Sequence, residues 1–305
     1  MMNRLWHHHF GHGIIGTPSD FGMMGEKPTH PELLDWLAVA FMSNGKERRK
    51  TEETKVSPFF GVAWSLKKMH RLMVTSSTYR QSAAFHPKAA RLDPQNRLLW
   101  HFSRRRLEGE TIRDAFLAVS GELNFKMGGQ SIFPKLPPGI TTRGNWQDTK
   151  DPQERNRRSI YVFVKRNLRY PFFAVFDMPD THEPCGHRII TTTAPQALFL
   201  LNDTFALQAA QAFASRLLKE AGTERDAQVS LAYRLAFSRL PDPEERKHAL
   251  AFLESQSHVI QNVAREKPSL LSPASLPNGV PPAYASALAD FCHALLNAHE
   301  FVYTE

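Results

Sequence analysis

Helix starts recur along this chain with their capping chemistry written out, while one stretch alone reads clearly as a strand. Residues 29–32, "THPE", have the form of a capping box with Pro31 in the first turn. Behind them Leu33, Leu34, Leu37, Ala38 and Phe41 recur at helical spacing. Ser65 can cap a second helix carrying Leu66, Met69, Leu72 and Met73, and Ile112, Ala115, Phe116 and Val119 mark a third that Gly121 can end. "TAPQ" at 193–196 repeats the capping box. Asn202 and Asp203 precede an amphipathic run through Phe213 and Leu217 that Gly222 stops, and "PDPEE" opens a helix at Asp242 with Pro243. Leu288, Phe291, Cys292 and Leu295 line a last one. This punctuation predicts a mainly α fold.

Strand signals are few. Residues 160–164 are β-branched and aromatic on both faces, which predicts a short buried strand, and 188–192 could pair with it. The expected β element is therefore small, of two or three strands. The Gly-, Pro- and polar-rich segment 126–158 reads as an irregular loop. Residues 44–62 read as a surface insertion and 267–282 as a proline-rich surface loop. No long linker divides the helical segments, so residues 1–305 are expected to form one domain.

Composition bounds the function loosely. The chain is 42% hydrophobic and 22% charged, the balance of a globular protein rather than a disordered one. No run approaches the roughly 18 apolar residues of a membrane span. The opening "MMNRLWHHHFGHG" lacks the apolar run of about 7–15 residues that a secretory signal needs. A formal charge of +8 favours anionic partners without choosing among them. Cys185 and Cys292 are the only cysteines, too few for a disulfide framework. One lies in a polar loop and the other on an apolar helix face, so they are expected to be unbonded. There is no C-x-x-C-H, so no c-type haem is expected in this chain, and a metal ion is the one cofactor candidate. Phosphate-binding glycine loops, G-x-S-x-G and H-E-x-x-H are all missing.

The runs "NRLWHHHFGHGIIGTPSDFGMMGEKPTHPELLDWLA", "WSLKKMHRLMVTSSTYRQS", "NRRSIYVFVKRNLRYPFFAVFDMPDTHEPCGHR" and "TTTAPQALFLLND" resemble a planctomycete-specific domain of unknown function, the PSD domain of family 1553. The resemblance covers nearly the whole chain. Members of that family look like C-terminal parts of larger secreted or periplasmic proteins, often with a cytochrome c domain upstream. The resemblance therefore implies a periplasmic or cell-surface location, an N-terminally truncated piece, and a cytochrome c domain in longer relatives. It brings no reaction with it. The family's pattern passes almost directly from the helix near Met42 to "WSL", which marks 44–62 as an insertion.

Three clusters carry candidate chemistry. His7, His8, His9 and His12, with Asp20, are metal-ligand types, and His8 and His9 are taken as the metal candidates. Three adjacent histidines cannot all face one ion from a helix, and the same rings fit a helix packed under a turn. "DMPDTHEPCGH" supplies Asp177, Asp180 and His182, an acid–base set on a loop, or equally a turn in which aspartates cap backbone amides. The third cluster is basic: Arg104–Arg106, Arg155, Arg157, Arg158, Lys165, Arg166 and Arg169, interleaved with Tyr161, Phe163 and Tyr170. Arginine forks recognise sulfate and carboxylate; the alternative is solvated faces and buried ion pairs. A joint site is expected with Asp177, Asp180 and His182 as catalytic groups, His8 or His9 nearby, and Trp6, Arg166, Arg169 and Tyr170 as ligand contacts. The leading expectation is an extracytoplasmic module that binds or helps process an anionic polysaccharide, the implied setting disfavouring nucleic acid. The rivals are a metal-dependent or redox enzyme using the His and Asp clusters, and a structural surface module.

Overall fold

A computed structural model of the chain describes residues 1–43, 63–137, 139–140, 146–264 and 279–304. The insertion at 44–62 and most of the loop at 267–282 lie outside the described residues. The fold is mainly α, with one small two-stranded antiparallel sheet among the described residues. Contacts group into two compact units: 1–105 with 185–187, and 106–184 with 188–304.

The first unit holds α1 (Met2–Phe10), α2 (Pro31–Met42), α3 (Leu66–Val74) and α4 (Pro87–Leu92). Met2, Leu5, Ile14, Leu37, Phe41, Met69 and Met73 form its core. Gly11 ends α1 at φ 86°, and a Cβ there would lie 2.5 Å from Cδ of Arg105, so the position needs glycine twice over. Asn3, buried, grips the returning chain through both its amide groups, donating to Ile15 O at 3.0 Å and accepting from Ile15 N at 2.9 Å. Ser65 caps α3 as expected. The "THPE" reading is corrected in part: Pro31 does open α2, but His30 is the N-cap. Thr29 instead donates its backbone N–H to Ile14 O at 2.9 Å, which leaves its hydroxyl turned to that same carbonyl and away from the helix.

The second unit begins at Arg106; the two-stranded sheet is β1 (Arg105–Arg106) with β2 (Tyr303–Thr304). Between them come α5 (Gly109–Ser120), α6 (Pro152–Arg155), α7 (Pro171–Val175), α8 (Ala194–Asn202), α9 (Thr204–Ala221), α10 (Arg225–Phe237), α11 (Pro243–Ala264), α12 (Pro282–Leu296) and α13 (His299–Val302). Helix α9 is central and packs on α5, α8, α10 and α12. Ala206, Ala209, Ala210 and Ala214 are buried along it, as are Ala285 and Ala289 on α12, so small side chains let these backbones approach closely. "TAPQ" closes as a reciprocal capping box, Asp203 caps α9, and Asp242 and Glu245 cap each other at the start of α11. Cys292 is buried and Cys185 exposed, and both are free. No described helix is long and apolar enough to cross a membrane.

The strand expected at 160–164 does not form. Residues Ser159–Tyr161 make a 3-10 turn, and Val162 alone is buried, while Ile160 is 77% exposed. What remains of β structure there is one bridge, Ile132 with Val162. Residues 188–192 pair with no strand either, since the backbone N–H of Thr191 is taken by a side chain, Asp177. In its described residues the expected loop at 126–158 is largely irregular, and two buried guanidiniums hold it. Arg113 donates to the carbonyls of Arg157 (2.9 Å) and Arg155 (2.7 Å), and Arg157 donates to those of Gln130 (3.0 Å), Lys126 (3.3 Å) and Gly128.

Arg157→Ala should therefore lower unfolding free energy by about 1.5–3 kcal/mol in urea titrations, the scale of a hydrogen bond to a charged group, since three loop carbonyls lose the donor that holds them. Arg158→Ala, on an exposed neighbour, should stay within about 0.5 kcal/mol.

Candidate functional site

In the second unit the Asp177 loop divides into a structural half and an open half. Asp177 lies at φ 63°, just past Phe176, the C-cap of α7. Its carboxylate accepts from Arg106 Nη2 at 2.6 Å, from Thr191 N at 2.8 Å and from Thr191 Oγ1 at 2.8 Å. Gln196, the box residue of α8, donates to Val175 O at 3.1 Å and completes the knot. Desolvation alone would raise the pKa of Asp177, but the Thr191 hydrogen bonds and the Arg106 charge outweigh it and hold it below the usual carboxylate range. Asp180 and His182 are exposed and bonded to each other: Oδ1 of Asp180 accepts from His182 N at 3.0 Å and lies 2.7 Å from Nδ1. The imidazole's own hydrogen bond keeps the Asp180 carboxyl low. Arg169 donates to Met178 O at 3.1 Å, Arg166 is exposed, and Tyr170 is buried in the core. The basic stretch is thus split: Arg106 and Arg157 go inside, while Arg158, Arg166 and Arg169 stay at the surface.

In the first unit, Trp6 packs on Phe10 with ring centroids 4.2 Å apart, and His8 is exposed. His9 Nε2 lies 2.8 Å from His70 Nδ1, and His7 Nε2 lies 3.1 Å from His187 Nδ1. Burial first, then the facing His187 and the neighbouring His8, His12 and Arg105, push the His7 pKa down to about 4. Burial and His70 lower that of His9 as well. The His7 ring is therefore neutral at pH 7.

The second unit also carries a cavity of about 440 Å³. Arg113, Tyr170, Phe199 and Phe205 line it, Lys135 and Arg155 add cations, and Glu122 and Asp203 add carboxyls. Burial pushes the Tyr170 hydroxyl up to about 12 and pulls the Arg113 guanidinium down. Asp203 accepts from Phe205 N at 3.0 Å as the α9 cap, yet desolvation still raises its pKa. Glu122 follows the glycine that ends α5; burial raises its carboxyl too, and no hydrogen bond or ion pair reaches that carboxyl among the described residues. A second cavity of about 430 Å³ shares Glu122, Pro152 and Asn156. Cations, aromatic faces and carboxyls that stay protonated to higher pH are the components that bind polar, partly apolar ligands.

Residues 1–253 match the model of a protein family of unknown function, PSD1 (DUF1553). The chain belongs to this family. No curated protein and no solved structure matches it. The PSD1 match ends inside α11, but α12 beyond it supplies Leu288, Phe291 and Cys292 to the same core as α9. Of the expected ligand contacts in this PSD1 chain, Tyr170 alone lines the 440 Å³ cavity. Glu122, Asp203, Lys135 and Arg113 were not singled out from the sequence. Asp203 carried only its capping signal, and the Glu122 signal was a carboxylate immediately after a helix-ending glycine.

Asp177→Ala should cost about 3–5 kcal/mol, because it strands the buried Arg106 charge. Asp177 is depressed in the folded state. Its contribution is therefore present above the unfolded carboxylate value of about 3.9 and is lost as pH falls through the lower folded one. Melting temperature measured from pH 7 to pH 2 should accordingly fall less steeply in Asp177→Asn than in the parent.

Proposed function

We propose that this chain is an extracytoplasmic module that binds, or helps to process, an anionic polysaccharide. The observation supporting this most directly is the cavity on the second unit, where Lys135 and Arg155 border the aromatic faces of Tyr170, Phe199 and Phe205. Cationic forks take sulfate or carboxylate groups, and aromatic faces take the apolar faces of sugar rings. The formal charge of +8 draws a polyanion from a distance. The Asp203 carboxyl, raised by burial, supplies a protonatable group beside such a ligand. A planctomycete source, a periplasmic or cell-surface location and linkage to a cytochrome c domain in longer proteins belong to the same reading and rest on the family resemblance alone. A second reading, an enzyme using its His and Asp groups, draws support from the Asp180–His182 pair, whose 2.7 Å contact orients an exposed imidazole.

Calorimetric titration with size-defined sulfated and uronic polysaccharides tests the first reading. Saturable binding that weakens with added salt is expected, and Lys135→Glu should reduce affinity at least about tenfold, the scale of one charge-assisted hydrogen bond. Absence of saturable, salt-sensitive binding would sink the proposal. Loss of a measured activity in Asp180→Asn with polysaccharide affinity intact would favour the second.

A further inference from the structure

The first unit gathers imidazoles that the cavity on the second does not use. His7 Nε2, in the last turns of α1, faces His187 Nδ1 at 3.1 Å, with ring planes at 81° and centroids 4.7 Å apart. The tripeptide carrying His187 is seated closely: a Cβ on Gly186 would lie 2.2 Å from Ser19 Oγ, so only glycine allows this approach. Cys185 Sγ donates to His187 O at 3.1 Å, fixing the backbone behind the ring. His12 is close enough to His187 to be affected by its charge.

Two facing imidazole nitrogens hold one hydrogen between them. Each neutral ring can carry its proton on either nitrogen. Shifting the shared proton to the outer nitrogen of its own ring turns the hydrogen bond into two facing lone pairs, and no proton need leave the pair. Nitrogens bound to one tetrahedral zinc at about 2.0–2.1 Å stand roughly 3.3 Å apart. The observed separation is therefore nearly that of two ligands on one ion.

We propose that His7 and His187 form a two-imidazole site for a divalent transition ion of the zinc class, an ion type that imidazole suits. No group of three or more His, Cys, Asp or Glu among the described residues is arranged to hold a metal, so water completes the coordination and the ion exchanges readily. His12 is the nearest further imidazole. Arg105 is the fixed cation the ion must tolerate, and its guanidinium is engaged with the carbonyls of His8 and His9. His9 and His70, 2.8 Å apart, are the competing pair.

Zinc titration of the full chain in metal-free, non-chelating buffer tests the assignment. One zinc per chain is expected. His187→Ala should weaken binding at least about tenfold, the lower end of what losing even an outer-shell partner costs a metal site. His7→Ala should do the same, while His9→Ala and His70→Ala bind as the parent does. Melting curves without zinc confirm that each variant folds. Should His7→Ala fail to fold, His187→Ala and His187→Asn, on an exposed residue, decide the matter. The assignment is overturned if the parent binds no zinc. It is also overturned if the two His187 variants bind like the parent, or if binding is lost only in His9→Ala or His70→Ala.

Discussion

Two guanidiniums buried in the second unit carry the part of the fold that has no regular structure of its own. Among the described residues between α5 and α7 the chain has little helix and three isolated bridges, and its carbonyls need donors wherever they turn inward. Arg113 and Arg157, each 1% exposed, provide those donors. A guanidinium has five N–H groups in a rigid fork, so one side chain can satisfy several carbonyls that no helix or sheet would serve. Asp114 complements the arrangement by accepting from the N–H and hydroxyl of Ser159 at 2.7 and 2.6 Å. The charge itself is compensated at a distance, with Glu154 Oε2 3.7 Å from Arg157 and Asp114 Oδ1 3.8 Å from Arg113.

This arrangement also shapes the cavity. Arg113 lines it while its outer nitrogens are turned to the carbonyls of Arg155 and Arg157, so the residue acts there as a wall and a field rather than as a free fork. The cations with freedom to meet a ligand are farther out, above all the exposed Lys135. Burial raises the Tyr170 hydroxyl and the Asp203 carboxyl around the same space. The chemistry of the cavity and the stability of the loop are two consequences of the same burial.

The helices were legible because their signals are local. "TAPQ", Ser65, Asp203, Gly121 and the prolines at 31, 195 and 243 each act within one turn of the chain, and each works as read or nearly so. The strand at 160–164 was misread because β-branched and aromatic content reports burial or packing without saying which side is buried. Only Val162 turns inward, and a 3-10 turn with Ser159 bound to Asp114 replaces the ladder. The fate of the arginines was illegible for a deeper reason. Arg157 and Arg158 are neighbours with the same charge, and the choice of which goes inside depends on carbonyls at 126, 128 and 130 that no spacing rule connects to them.

The histidines show the same limit from the other side. Successive residues on a helix point about 100° apart, so a run of three such rings must scatter, and it does: His7 turns to His187, His8 to solvent and His9 to His70. The helix rule excluded a site made by the run itself, but each ring then needed a partner from elsewhere. His187 comes from 180 positions along the chain, and its place beside His7 depends on a glycine that can lie against Ser19. Asp180 and His182, two residues apart, needed only a local turn to meet. The sequence therefore displays the pairing that geometry makes easy, and it hides the pairing in which two imidazole nitrogens are brought face to face.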